Sequence, residues 1–244
     1  MQTVICAKWG TRYPAHYVNC LWSMIIRNTR RATRLICYTD DPTGIDSAVI
    51  TWPLPEVALP PRVANLPWRK VGFWAPDLGD ISGDVLFMDL DVVITGSIDE
   101  FFDYEPNSTF CVIENWTQRG SGIGNTSVYR FRVGSHPYIY ENFQRDPEAI
   151  LAKFPNSQTY ISRTIKEKTF WPEGWCHSFK HTLLPRWPMN FFKIPELPPG
   201  TKVVAFTGRP DPHEALDGRW QAPWYKKLYK HVRPTPWIAE HWRL

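Results

Sequence analysis

The sequence predicts an α/β protein with a mixed, mostly parallel central sheet flanked by helices. Two observations carry this expectation. Short apolar, β-branched runs recur through the first hundred positions with helical or turn-rich pieces between them, the alternation that builds parallel sheets. In addition, none of the 244 residues forms a Gly/Ser-rich or low-complexity linker, so one domain over 1–244 is expected.

TVICA, Thr3 to Ala7, reads as a buried strand, and Val18, Leu21, Trp22 and Ile25 recur at helical spacing within Pro14 to Ile26. RLICYT, Arg34 to Thr39, is a second strand closed by the turn signal DDPTG, and AVITW, Ala48 to Trp52, is a third. The proline-rich PLPEVALPPRV has to be extended or looped, and WRKVGFWAPDL after it suits a helix. VLFMDLDVVI, Val85 to Ile94, follows as an apolar strand-like run interrupted by Asp89 and Asp91. TFCVI, Thr109 to Ile113, and TSVYRF, Thr126 to Phe131, are strands on either side of a glycine-rich connector. Ser135 is placed to cap a helix through Phe143, and a second helix starts at Pro147. KVVAF, Lys202 to Phe206, is a late strand, and WYKKLYKHV suits a short basic helix.

Composition narrows the function. With 43% hydrophobic and 15% aromatic residues the chain can bury a sizeable core, and 13 Trp leave some aromatic surface for binding. Lys and Arg, 28 against 24 acids, are spread along the chain with no nucleic-acid-binding motif, which argues against a nucleic-acid partner. Five cysteines, odd in number and free of CxxC, suit a reduced, cytoplasmic chain. The apolar start, Val4 to Ala7, is cut by Lys8, and no run of about 18 apolar residues exists, so neither a secretion signal nor a membrane span is expected.

Two carboxylates inside an apolar run need an explanation, because a buried carboxylate pairs, binds a metal or becomes neutral. A hard cation, Mn2+ or Mg2+, takes carboxylate, phosphate and water oxygens, so Asp89 and Asp91 at a strand end could hold one against a diphosphate. D-x-D alone also occurs as loop caps and surface acids; here apolar flanks on both sides favour the site reading.

The segment WRKVGFWAPDLGDISGDVLFMDLDVVITGSIDEFF resembles the corresponding segment of glycogenin-like and lipopolysaccharide-galactosyltransferase-like enzymes, nucleotide-sugar glycosyltransferases of the GT-A fold. There a Lys-bearing helix precedes a strand ending in the DxD motif. Weaker echoes are the first strand with its loop, the TDD after the second strand, NSQTYIS and VVAFTGRPDP. The resemblance implies a Rossmann-like GT-A domain whose residues 1–104 bind the nucleotide and whose residues 105–244 serve sugar and acceptor. It implies that Asp89 and Asp91 ligate the metal, Asp89 also lying near the ribose, and that Lys70 or Arg69 faces the nucleotide. Ala7, Trp9, Thr39, Asp40 and Asp41 would surround base and ribose, and Asn125 and Gly208 would lie on the donor side. On the reacting side, Gln158, Glu114 and Asp211 are the candidates. The pattern is departed from twice. The late strand of these families usually supplies a histidine ligand, where this chain has Ala205 and Thr207, leaving His213 or water to complete the shell. Ser157 stands before Gln158 where an aspartate is frequent.

Other motifs have plain readings. RGSGIGN, Arg119 to Asn125, matches neither a dinucleotide fingerprint nor a nucleophile elbow and suits a loop needing positive φ. Cys176, His177 and His181 form C-H-x-x-x-H, which would meet zinc on one helical face only with a second ligand pair, and none is evident. RNTRRATR, Arg27 to Arg34, complements a helix C-terminus. The tail PWYKKLYKHVRPTPWIAEHW interleaves cations with Trp and Tyr, which suits packing on the domain, a sugar-acceptor platform or an anchor at the inner membrane face.

The sequence therefore predicts a metal-dependent transferase using a UDP-sugar donor and a glycan, lipid or protein hydroxyl acceptor, with retention implied by the resemblance. A nucleotidyltransferase and an inactive nucleotide- or carbohydrate-binding module are the alternatives. The first lacks its GxG-x-R-type phosphate loop here; the second is favoured by the missing histidine and aspartate.

Overall fold

The computed structural model describes all residues, 1–244. Strands β1 (Gln2–Lys8), β2 (Thr33–Thr39), β3 (Ile50–Trp52) and β4 (Asp84–Met88) run parallel in the order β3-β2-β1-β4. The chain then enters a second sheet through β5 (Val92–Ile94) before returning as β6 (Phe110–Glu114) and β7 (Gly124–Arg132). β7 lies antiparallel to β4 and to β6, and β8 (Thr169–Phe170) runs parallel to β6 at the far edge of the seven-stranded sheet. The smaller sheet has the order β5-β10-β9, with β9 (Cys176–Ser178) parallel and β5 antiparallel to β10 (Val203–Ala205). Both sheets therefore combine strands from before and after residue 104.

Strand alternation divides the core. Val4, Cys6, Leu35, Cys37, Leu86 and Met88 pack on the side of α1 (Ala15–Arg27), while Ile5, Ala7, Ile36, Tyr38, Val85 and Phe87 join the opposite cluster. A sheet covered on both faces needs strands apolar in both registers, and the unbroken runs in β1, β2 and β4 meet that need. The second face is covered by a 3-10 helix, Pro67–Trp74, and by α3 (Tyr138–Arg145) and α5 (Ser157–Thr164). α4 (Pro147–Lys153) starts at the expected proline with Asp146 accepting from Ala149 N at 3.0 Å. α2 (Asp99–Asp103) follows β5, and the short α6 (Pro212–Leu216) and α7 (Trp237–His241) close the chain. The basic turn after α1 is absorbed by α2: Thr29 Oγ1 and Arg30 N donate to Asp99, and Arg31 pairs with Asp103 at 2.7 Å.

The structure corrects several sequence expectations. VLFMDLDVVI is two strands in two different sheets, because the chain turns at Asp89–Asp91 to leave one and join the other. Ser135 is not the cap of α3; its hydroxyl donates to Arg132 O, and the helix starts after Pro137, whose fixed φ is already helical. The helix expected in WRKVGFWAPDL is 3-10 and begins earlier, at Pro67, and WYKKLYKHV forms only a 3-10 turn, Trp224–Leu228. Cys176–Ser178 is a strand and Phe179–Leu183 a single π turn, so His177 and His181 do not share a helical face.

Arg130 on β7 is fully buried without a carboxylate partner. Its guanidinium donates instead to the carbonyls of Phe101, Phe102, Tyr104, Glu105 and Ser108, at the end of α2 and the turn beyond it. Arg130→Ala is expected to cost about 3 kcal/mol or more, since it strands buried acceptors. In thermal denaturation the midpoint should fall by about 6–12 °C.

Candidate functional site

β4 ends where it leaves the core, and the next three residues build the wall of a cleft of about 910 Å³. Leu90 turns inward and is 2% exposed, while Asp89 and Asp91 on either side line the cleft. Backbone bonds pin the turn to both sheets: Asp89 N donates to Ser127 O on β7 at 2.8 Å, and Phe206 N, just past β10, donates to Asp91 O at 2.9 Å.

Asp89 has a cation of its own. Lys70, 5% exposed on the 3-10 helix Pro67–Trp74, places Nζ 2.6 Å from Oδ1 and 2.8 Å from Oδ2, and donates to Thr126 O at 3.0 Å. Two of its three donors are engaged in hydrogen bonds, one to Oδ2 and one to Thr126 O. Lys70 therefore fixes the carboxylate while itself lining the cleft. Its neighbour Arg69 turns away, with Nε on Ala64 O, and does not line the cleft.

Asp91 has no such partner. Burial pushes its carboxyl up to about 7, the charge of Asp89 adds to the rise, and the Tyr13 hydroxyl, donating to Oδ2 at 2.8 Å, and the Lys70 ammonium only partly oppose it. Burial above all, then the charge of Asp91, raises Tyr13 in turn.

The other walls come from three places. The loop after β1 brings Trp9, Gly10, Thr11 and Arg12 beside Ala7, with Gly10 at φ +60° making the turn. On β7, pairing with β6 skips from Tyr129 to Asn125, a bulge that swings Asn125, Thr126 and Ser127 into the cleft. Gln158 lies in the first turn of α5, whose N-cap Asn156 accepts from Thr159 N at 2.9 Å. Ser157, where an aspartate is frequent in the resembled families, donates to Pro67 O at 3.1 Å and so ties α5 to the helix bearing Lys70.

Of the residues singled out in the sequence, Ala7, Trp9, Lys70, Asp89, Asp91, Asn125, Gln158 and Gly208 line this cleft. Thr39, Asp40 and Asp41 stand behind it: Asp40 accepts from Gly10 N at 2.9 Å, and Thr39 and Lys8 bind the Asp41 carbonyl. Glu114 accepts from Gly120 N at 2.8 Å and fastens the glycine loop, in which Gly120 and Gly122 take positive φ. Asp211, 3% exposed at the start of α6, pairs with Arg209 at 2.9 Å and lies 3.5 Å from Arg12. His213 does not reach the acids, because its Nδ1 bonds the Tyr17 hydroxyl at 2.7 Å and its ring packs on Trp242. No three His, Cys, Asp or Glu side chains converge as a protein-only cation cage would. His181, singled out only for a zinc motif, lines the cleft from the turn after β9, and residues not singled out line it too: Arg12, Tyr13, Asn115, Trp116 and Thr117. Their one legible signal is position, in loops directly after β1 and β6.

No protein-family model matches the chain. No curated protein matches it either. Solved structures do. The galactosyltransferase LgtC, in complex with donor and acceptor sugar analogues, matches with a TM-score of 0.58 at 11% identity, over 86% of this chain and 89% of that one. Mouse xyloside xylosyltransferase 1 matches at 0.55 and 9% identity, over 86% and 98%. The bifunctional glycosyltransferase WbbM matches at 0.60 and 12% identity, over 98% of this chain and 50% of that one. At such identities the likeness establishes the fold: the chain has the GT-A glycosyltransferase fold, as the sequence resemblance implied.

A carboxyl held above its ordinary value destabilises the fold as pH rises from about 4 toward 7, where the folded chain has to give up a proton it binds better than the unfolded one does. In chelator, Asp91→Asn should therefore melt about 2–4 °C above the wild type at pH 8 and level with it near pH 4. Differential scanning fluorimetry across that range checks the sign.

Proposed function

We propose that the chain is a metal-dependent glycosyltransferase that moves a sugar from a UDP-sugar to a hydroxyl of a glycan, lipid or protein acceptor, with retention of anomeric configuration. The observation that carries this reading is the pair Asp89 and Asp91, facing one cleft from a turn whose middle residue is core. The GT-A fold and the complex of LgtC with donor and acceptor sugar analogues support the sugar-transfer class.

The donor set suits a hard cation. Two carboxylates without a third protein ligand are what Mg2+ or Mn2+ uses when substrate phosphates and water complete its shell, and Asp91, with no cation of its own, is the stronger candidate to gain one. When bound, such an ion supplies Lewis-acid stabilisation of charge on the departing diphosphate. Lys70 keeps Asp89 in a single orientation for that purpose. Arg12, with 55% of its side chain exposed at the cleft and 3.5 Å from Asp211, is a second cation of the lining, placed to meet a phosphate. Gln158 offers a carboxamide to the sugar, and LgtC has itself been described with a glutamine-to-glutamate change at its active site. Trp9 presents a ring for the base.

In the transfer, the bond from C1 to the diphosphate oxygen breaks and the acceptor oxygen bonds to C1. The cleft lining contains no carboxylate besides Asp89 and Asp91, which leaves no further acid to act as a covalent nucleophile, and passage of the acceptor proton to the leaving phosphate oxygen keeps both groups on one face and retains configuration. The missing third ligand favours one other reading, a module that binds donor without turnover.

UDP with Mn2+ should raise the melting midpoint by about 5–10 °C near 100-fold saturation, from about 2.7 kcal/mol of linkage. UDP alone should give much less, and Asp91→Asn should lose the metal-dependent part. Release of UDP from UDP-sugars over an acceptor panel then separates transferase from binding module.

A further inference from the structure

Two segments distant in sequence, residues 186–194 and 219–233, form one surface. Trp187 Nε1 donates to Leu228 O at 3.2 Å, Asn190 Nδ2 donates to Tyr229 O and His231 O at 2.9 Å each, and the Phe191 ring stacks on His231 at 4.4 Å. Bonds of this kind hold the surface in shape, yet its largest apolar side chains face outward: Trp187, Phe192, Trp224 and Leu228 are 65–81% exposed. Isolated exposed apolar residues are ordinary, but four this exposed on two mutually bonded segments mark a contact face.

Charge identifies the contact. The two segments carry seven Lys and Arg and no Asp or Glu, whereas the remainder of the chain carries 21 against 24 acids. The whole net positive charge of the protein therefore resides on this surface. Within the second segment lies a depression of about 570 Å³ lined by Arg219, Trp220, Lys227, Lys230 and His231. Lys230 crosses the Trp220 ring at 5.7 Å, and lies close enough to Lys180 to add to the lowering that burial causes there. Lys180 in turn donates to Thr207 O at the rim of the cleft, so the surface and the cleft adjoin.

We propose that this surface docks on a lipid bilayer containing anionic phospholipid, with Trp187, Phe192, Trp224 and Leu228 entering the headgroup layer and the cations meeting lipid phosphates. Trp with flanking Lys and Arg is the composition that settles at a membrane interface. No helix of the protein is long and apolar enough to cross a membrane, so the contact is peripheral. Docking sets the cleft beside the bilayer. It rests on these segments alone and requires neither metal nor sugar transfer.

Sedimentation of the full chain with vesicles, in the absence of nucleotide and metal, tests it. Vesicles of phosphatidylcholine with about 30% phosphatidylglycerol should bind the protein, pure phosphatidylcholine should bind it far more weakly, and salt should release it. Each lysine near an anionic surface is worth about fivefold in affinity, so Lys226→Gln, Lys227→Gln and Lys230→Gln together should weaken binding about 100-fold. Trp224→Ser with Leu228→Ser, both exposed sites, should remove the part of binding that survives high salt while leaving circular dichroism unchanged. Absence of binding to anionic vesicles, equal binding to neutral ones, or an unaffected lysine variant would overturn the proposal. So would binding to a duplex oligonucleotide without binding to vesicles.

Discussion

The ion pair between Lys70 and Asp89 fixes the geometry on which the cleft depends. A carboxylate at the end of a core strand has to be compensated, and the compensating lysine also ties together elements from three parts of the chain. It rides on the helix Pro67–Trp74, whose first carbonyl holds Ser157 and with it the start of α5, and its second hydrogen bond fixes Thr126 in the bulge of β7. Asn125, Gln158 and Asp89 consequently face one space through a single ammonium group and its neighbours. Coulomb attraction at low exposure is strong only when geometry is this close.

Asp91 is the complement. It lacks a cation and is held by one phenol, so the fold keeps a carboxyl that would be better protonated near neutrality. Stability given up at one position in this way is common where a site has to receive charge from a ligand. The contrast between one satisfied and one unsatisfied acid gives the two halves of the D-x-D turn different roles: Asp89 is positioned and Asp91 is available.

Much of the fold was legible because the buried strands leave an unmistakable apolar pattern. β1, β2 and β4 are covered on both faces, and their sequences show it. The division of VLFMDLDVVI between two sheets was not legible, since Val92 to Ile94 has the same apolar character whichever sheet receives it. Lys70 could be picked out but not oriented: its sequence neighbour Arg69 is an equally plausible cation, and only packing shows which one turns inward. Arg12, Tyr13 and Trp116 were missed because loop residues carry no periodicity. Asp211 and His213, chemistry-bearing residues beside the expected motif, are held in an ion pair and an aromatic cluster, contacts that sequence position does not reveal.

Where a cation sits when nucleotide is bound decides the account. Crystals grown with UDP and Mn2+, measured at the manganese edge, would locate the ion directly by its anomalous signal. A peak at the carboxylates of Asp89 and Asp91, beside the diphosphate and with Lys70 still on Asp89, is the expected result. Bound UDP with no peak there, or with its phosphates on another wall of the cleft, would contradict it.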